Sequence, residues 1–188
     1  MKNLLLPFLL LAGLAANAQA WHNPLPVDST THLITYQGVV QVPGATQAEL
    51  YSRAREWFAV TFGSAKEVLE MDDRGLGKLI GRAYAQFDFS SGFGPIVSLS
   101  MWRTIKIESK DGRYRYTLND FALGGSLAQP QEPKPIEKWF EGFQRSGKPL
   151  GKMASKMVES TATGIQQTAG AEIASLKKAL ASKTGSDF

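Results

Sequence analysis

Alternating apolar and polar residues predict a β-hairpin in the second half of the chain. The alternation runs from Thr104 to Leu118 and is interrupted only by Asp111-Gly112. Asp-Gly between alternating runs favours a two-residue type I′ turn, because both turn residues need a positive φ and glycine adopts it without a Cβ clash. We therefore expect Lys110 to lie opposite Arg113.

Pairing outward from this turn divides the side chains of the hairpin between two faces. The apolar face consists of Ile105, Ile107, Tyr114, Tyr116 and Leu118. The charged face consists of Lys106, Glu108, Lys110, Arg113 and Arg115. A one-residue slip of register would mix the two sets, so the pattern supports this pairing. Because an isolated hairpin is marginally stable in water, the apolar face must pack against other elements.

An amphipathic helix is predicted between Thr46 and Gly63. Thr46 with Glu49 three residues later forms a capping box, and Gly63 is a typical C-terminal stop. The apolar stripe at helical spacing consists of Leu50, Ala54, Trp57, Phe58 and Thr61. This helix is expected to cover the apolar side of the sheet, with its two aromatic residues as core anchors.

The same type of pattern predicts the remaining strands. Strands are expected at residues 33–42, 66–71, 78–87, 96–109 and 113–123, the fourth with a break near Ser100. Residues 72–77 form a turn. In the third strand Gly81, Ala83 and Ala85 share one side, which indicates that another element packs closely there. The loop 89–95 contains Phe89 and Phe93, and both are expected to be exposed.

Composition changes after residue 123. Residues 124–135 are rich in Gly and Pro and are interpreted as a linker. A short helix is predicted at 136–144 and a long helical pattern at 150–181, within a helical tail spanning 136–182. The stripe of the long helix consists of Met153, Met157, Thr161, Ile165, Ala169, Ile173, Leu176 and Leu180. The tail could dock on the sheet or extend away from it, and residues 183–188 are expected to fray.

The first 20 residues predict a secretory signal peptide. Lys2 precedes an apolar run over residues 4–16, and Ala18-Gln19-Ala20 is a small-x-small cleavage site. The run is too short for a spanning helix, which disfavours the alternative of an uncleaved anchor. Cleavage is expected after Ala20, leaving an extended lead-in over residues 21–33 and a protein in the periplasm or outside the cell. Trp21 follows the cleavage site and the chain has no Cys, so a lipoprotein is excluded.

Length and charge narrow the classes of protein further. The 188 residues suffice for one domain with appendages. Loss of Lys2 reduces the 21 basic residues to 20 against 17 acidic residues, a net charge of +3. This charge is too small to indicate nucleic acid as a partner. Without Cys, disulfides, thiol catalysis and cysteine metal sites are excluded. No later segment is apolar enough to span a bilayer.

The order strand, helix, four strands, helix resembles a family of exported bacterial domains of unknown function with a TBP-like fold. The matching segments are 40–44 and 49–54 around the start of the first helix, Trp57, 62–66 at its exit, Asp73 with 77–81, and most specifically 110–116. The resemblance covers residues 34–123 and implies an α+β fold with a curved antiparallel sheet of about five strands and a helix on one face. It brings no known activity, cofactor or catalytic residue.

Residues suited to catalysis or metal binding are sparse. The only histidines are His22 and His32, and the only nearby carboxylate is Asp28, which is unconvincing for a metal site. Asp72-Asp73 adjoin a turn, where adjacent acids are more often turn formers than a catalytic pair. No Gly-x-Ser-x-Gly elbow and no Gly-rich phosphate loop is present. We therefore predict no catalytic residue, cofactor or metal.

The candidate surface residues are Arg113, Arg115, Lys106, Phe89 and Phe93. Two arginines on a sheet face suit carboxylate or phosphate groups of a partner. The alternative is a solvated face with a Glu108–Arg115 cross-strand pair.

Three functions remain as hypotheses. The first is a non-enzymatic envelope module that binds a protein, peptide or glycan through the sheet or the phenylalanine loop. The second is a carrier of a small apolar ligand between sheet and helices, suggested by Gly81, Ala83 and Ala85. The third, an envelope hydrolase, is supported by the extracellular setting alone. The sequence contains no signal for a particular oligomeric state.

Overall fold

The computed structural model describes residues 23–92, 94–126, 131–144 and 150–181. The predicted signal peptide, Phe93 and the predicted frayed C-terminus lie outside these residues. The elements are β1 (Tyr36–Gln41), α1 (Gln47–Phe62), α2 (Ala65–Val68), β2 (Leu69–Asp73), β3 (Lys78–Phe89), β4 (Val97–Lys110), β5 (Arg113–Ser126), β6 (Lys134–Pro135), α3 (Ile136–Gln144) and α4 (Lys152–Ala181).

All strands belong to one antiparallel sheet. Its order is β1-β5-β4-β3-β2. The two-residue β6 pairs with Ala122 and Leu123 of β5, past the residues that pair with β1. Buried side chains of α1, α3 and α4 form a single core cluster with one face of this sheet. The predicted α+β fold with an antiparallel sheet and a C-terminal helical segment is confirmed.

The predicted hairpin pairing is confirmed residue by residue. Lys110 lies opposite Arg113, Ile107 opposite Tyr116, and Ile105 opposite Leu118. All five residues of the predicted apolar face are buried. The burial of alternate positions follows from the two-residue period of a strand.

The predicted type I′ turn is wrong, because only Gly112 has a positive φ, of 73°. Contacts with the β1–α1 connection hold the turn. The Asp111 carboxylate accepts a hydrogen bond from the Gln47 backbone N–H at 2.7 Å. Gly112 donates its N–H to the Ala45 carbonyl at 2.8 Å and accepts from the Val42 N–H at 2.8 Å. The hairpin tip thus satisfies a free N–H group of the first helical turn.

The caps predicted for α1 are confirmed. The Thr46 and Glu49 side chains each accept a hydrogen bond from the other residue's backbone N–H, and Gly63 has a φ of 76°. Leu50, Ala54, Trp57 and Phe58 are buried as predicted. Thr61 is exposed, so the stripe ends one turn earlier than expected.

The strand predicted at 66–71 is only partly correct. Residues 65–68 form the short helix α2, and β2 begins at Leu69. The Ser64 hydroxyl accepts a hydrogen bond from the Glu67 N–H at 3.4 Å and caps this helix. Ser64 and Glu67 have the spacing of a capping box, a helix-start signal that outweighs the β propensity of the following residues.

β4 is continuous, and the predicted break near Ser100 appears instead as irregular pairing with β5. Two residues of β5 (Gly124 and Gly125) lie opposite Ser100, and two more (Asp120 and Phe121) lie opposite Arg103. Such bulges bend a strand and increase its twist. β5 continues to Ser126, three residues into the predicted linker.

The tail docks on the sheet. Ile165 and Leu176 of α4 are buried, whereas Met153, also placed on the predicted stripe, is 52% exposed. Gly164 lies so close to the Phe87 ring that a Cβ there would clash.

A Cβ at Gly81 would approach the Phe58 ring to 2.7 Å. The small residues of β3 therefore mark close packing, as predicted.

A buried ion pair joins α4 to the centre of the sheet. Arg103 of β4 is 1% exposed and pairs with Glu172 of α4 through two contacts, one of them from Nε to Oε2 at 3.0 Å. The guanidinium also lies 5.8 Å from the Phe62 ring centroid. Burial lowers the pKa of Arg103 to about 10, so it stays charged at neutral pH.

Replacing Asp111 with Ala should weaken the attachment of the hairpin to α1. The Gln47 N–H would lose its acceptor, and helix-capping losses of this kind cost about 1 kcal/mol. Urea unfolding followed by tryptophan fluorescence measures the change. Lys110→Ala, at the exposed neighbouring position, is the control and should stay within about 0.5 kcal/mol of wild type. Equal losses in both variants would contradict a role of the carboxylate.

Replacing Glu172 with Ala should destabilise the fold by about 3–5 kcal/mol, because the buried Arg103 charge would lose its partner. The double variant Arg103→Met/Glu172→Leu should recover most of this loss, since it removes both buried charges. Denaturant unfolding of both proteins tests the pair, with Glu159→Ala, from an exposed ion pair, as control. A double variant less stable than Glu172→Ala would contradict this account.

Candidate binding surface

One face of the sheet has no helix packed on it in the described part of the chain. We call it the open face. Its side chains, given by the strand registers, include Val39 of β1, Ile80, Arg82 and Tyr84 of β3, Trp102, Lys106, Glu108 and Lys110 of β4, and Arg113, Arg115 and Thr117 of β5. Val39 is 58% exposed and Tyr84 is 44% exposed.

The charged face of the hairpin lies on the open face, as predicted, and contains both paired and unpaired cations. Arg115 forms the predicted cross-strand pair, donating from Nε to Glu108 Oε2 at 2.8 Å. Within the described residues, Lys110 and Arg113 form no ion pair. Of the two predicted arginines, Arg113 is therefore the one free to bind an anion.

A shallow groove of about 270 Å³ lies among these residues. Its lining consists of Val39, Glu108, Lys110, Arg113, Tyr114 and Arg115. Three of the lining residues are cations and one is an anion, so the groove has a net positive charge. Burial, with a smaller contribution from Tyr116, raises the pKa of Tyr114 to about 12, and its hydroxyl stays protonated.

The other predicted surface residues have different environments. Lys106 lies opposite Thr117 on the open face and is half-buried. The predicted exposure of Phe89 is wrong, because its side chain is half-buried against the core. Since β3 extends to Phe89, this residue belongs to a strand and not to the loop.

Sequence reasoning missed an aromatic pair on the open face. The rings of Tyr84 and Trp102 meet edge to face, with centroids 5.1 Å apart. Trp102 also contacts Gly124, where a Cβ would approach its ring to 2.7 Å. The β3–β4 register could have revealed this pair. Lys78 lies opposite Glu108, and continuing the same pairing along both strands places Tyr84 opposite Trp102.

Asp72 and Asp73 contact different parts of the structure. Asp73 accepts a hydrogen bond from the Leu76 N–H at 2.9 Å and stabilises the turn, as predicted. Asp72 instead contacts Tyr51 and Arg55 of α1. Burial acts to raise the pKa of Asp72, but hydrogen bonds from these two residues outweigh it and leave the pKa below its usual value.

The described residues contain neither a cluster of metal ligands nor a membrane-spanning helix. No group of three or more His, Cys, Asp or Glu side chains among them is placed to hold a metal ion. None of their helices is both long and apolar enough to cross a bilayer.

A family model matches residues 36–123. The family is described as "Domain of unknown function (DUF4468) with TBP-like fold". The predicted resemblance to a family of unknown function with a TBP-like fold is thereby confirmed over this part of the chain, and the match brings no activity. The search of curated proteins finds no match.

Two solved structures share the fold. A DUF4468 family protein from Bacteroides ovatus is 17% identical with a TM-score of 0.64, covering 83% of this chain and 91% of its own. A TBP-like protein from Parabacteroides distasonis is 9% identical with a TM-score of 0.51, covering 77% of this chain and 93% of its own. At these identities the likeness shows the fold alone.

Proposed function

We propose that the protein is a non-enzymatic, exported binding module that holds an acidic segment of a partner protein on its open face. The observation that supports this most directly is the pair of unpaired cations, Lys110 and Arg113, beside a groove on an uncovered sheet face. Exposed charges without an internal partner keep their full capacity to pair with a ligand. A guanidinium is suited to a carboxylate because it can donate two parallel hydrogen bonds.

The surroundings of these cations favour a peptide over a small anion. Val39, at 58% exposure, gives the groove an apolar wall on which side chains could pack. The groove spans three adjacent strands, β1, β5 and β4. The Tyr84–Trp102 pair lies on the same face, farther along β4, and aromatic residues of this kind are enriched at protein interfaces.

A fluorescein-labelled peptide of alternating Glu and Gly residues provides the test, with binding followed by fluorescence anisotropy. The variant Lys110→Glu/Arg113→Glu should bind at least about tenfold more weakly, because attraction becomes repulsion at the groove. The control Lys138→Glu/Lys178→Glu changes the net charge equally on exposed helical positions and should bind like wild type.

Three further outcomes would count against the proposal. Equal loss in both double variants would indicate unspecific charge attraction. A Gln-Gly peptide that binds as tightly would exclude carboxylate recognition. Tighter binding of an anionic glycan than of the acidic peptide would move the assignment from a protein to a polysaccharide.

A second candidate function is supported by a groove on the helix side of the sheet. The groove has a volume of about 430 Å³, and its apolar lining includes Phe89, Leu99, Leu123, Trp139 and Met157. The Thr161 hydroxyl beside it is buried without a hydrogen-bond partner, and exposed Lys134 lies at the rim. Apolar walls with a few polar groups suit a fatty acid. The groove lies between the sheet and the helices, as the carrier hypothesis requires, but not beside Gly81, where the Phe58 ring fills the space.

Replacing Leu123 with Trp should fill this groove and abolish palmitate binding, measured by quenching of tryptophan fluorescence and by calorimetry. Val39→Trp, on the opposite face, adds the same side chain as a control and should leave palmitate binding unchanged. Absence of palmitate binding to the wild-type protein would exclude the carrier function, without bearing on the acidic peptide.

A further inference from the structure

The distal half of β3 is an uncovered sheet edge. β2 pairs with β3 only as far as Gly81, so residues 82–89 have β4 as their single neighbouring strand in the described structure. The free edge ends where the Ser90 N–H donates to the Ser160 hydroxyl of α4 at 2.9 Å. Along an edge strand, the N–H and C=O groups of alternate residues point away from the neighbouring strand. These outward groups can hydrogen-bond to another strand.

This edge lacks three of the features that prevent pairing with another chain, although it carries the charged side chains of Arg82 and Asp88. Proteins usually block long edges with proline, bulges or covering elements. The segment contains no proline, and β3 keeps an unbroken register with β4 from Lys78 to Phe89. Open-face side chains at Arg82, Tyr84, Gln86 and Asp88 are exposed. Within one copy Arg82 pairs with Asp120 at 3.3 Å and Asp88 accepts a hydrogen bond from the Ser98 hydroxyl at 2.9 Å, so a contact between copies would add to or replace these exposed interactions.

The edge sequence Arg-Ala-Tyr-Ala-Gln-Phe-Asp is complementary to itself in antiparallel orientation. In a register centred on Ala85, Arg82 of one copy lies opposite Asp88 of the other, and Tyr84 lies opposite Gln86. The twofold symmetry produces each pair twice. Opposite charges directly across an antiparallel pair are stabilising.

Neighbouring registers lack this complementarity. In the joined sheet, the buried side chains of both copies must lie on the same face. Only registers that meet this condition are possible. Centring on Tyr84 would place Asp88 opposite Ile80, and centring on Gln86 would place Arg82 opposite Ser90. The Ala85-centred register is the one of these three that pairs both charges.

Space beside the edge permits a second strand. A groove of about 590 Å³ separates the end of β3 from the side of α4. Its walls include Gln86 and Asp88 of the strand, and on the helix the polar residues Thr163, Gln167 and Thr168 and the Lys156–Glu159 ion pair. The two charges on the helix wall cancel, so this wall adds no net charge when two identical surfaces meet.

We propose that the protein forms a twofold homodimer in which the free edges of β3 pair antiparallel about Ala85 and continue the sheet. The two-strand contact joins the open faces of the two copies into one surface. An isologous interface of this type is the commonest route to a symmetric dimer. The proposal is independent of the acidic-peptide function, because Lys110 and Arg113 lie on β4 and β5, away from this edge.

Sedimentation velocity of the chain from Trp21 to Phe188 over a concentration series tests the dimer. Wild type should reach twice the monomer mass as concentration rises. Asp88→Arg places like charges opposite Arg82 twice per dimer and should raise the dissociation constant at least about tenfold. The charge swap Arg82→Asp/Asp88→Arg should restore dimerisation. Glu70→Arg, an exposed acid on β2 with the same charge change, is the control and should behave as wild type.

A crosslink reports the register directly, because the chain contains no cysteine. Ala85→Cys should form a disulfide-linked dimer on mild oxidation, whereas Thr117→Cys on β5 should not. A monomer at every concentration would overturn the proposal. So would a dimer that Asp88→Arg leaves intact, a swap variant that stays monomeric while circular dichroism shows native folding, or equal crosslinking at both positions.

Discussion

The pairing of β4 with β5 positions the other elements of the sheet and the first helix. β4 carries β3 on its other side and β5 carries β1, so the remaining strands extend outward from this hairpin. At its tip, Asp111 and Gly112 hydrogen-bond to the segment from Val42 to Gln47, which includes the start of α1. Because the same turn contacts the end of β1 and the start of the helix, the hairpin sets where α1 crosses the sheet.

The second constraint is charge buried in the core. Arg103 has a place in the apolar layer only because Glu172 of α4 neutralises it, since an unpaired buried guanidinium would be very costly. The pair, together with Gly164 against Phe87, allows α4 to dock in one position along the sheet. The helical tail is thereby an integral layer of the protein. Its middle is poor in large apolar residues and is held by the close contact of Gly164 with Phe87 and by the Arg103–Glu172 ion pair.

With the helices packed on one side, the described sheet leaves its opposite face and the distal part of the β3 edge uncovered. The open face combines free cations, an apolar groove wall and an aromatic pair, and the proposed binding of an acidic segment rests on these features. The free edge of β3 has a different capacity, because its backbone groups and alternating side chains suit another strand. Two surfaces with separate physical properties therefore lie on a domain whose family match brings no activity.

Local patterns in the sequence determined the elements and much of their pairing. The hairpin register follows from the two-residue period of Ile105, Ile107, Tyr114 and Tyr116, and the limits of α1 follow from Thr46, Glu49 and Gly63, because each of these signals acts between close neighbours. Only the tertiary structure decided the conformation of Asp111, whose partner Gln47 lies 64 residues away in sequence. The same holds for the burial of Arg103 beside Glu172 and for the meeting of Tyr84 with Trp102. These contacts depend on which strands and helices become neighbours, and that choice is made by burial of the whole core, which no local period encodes.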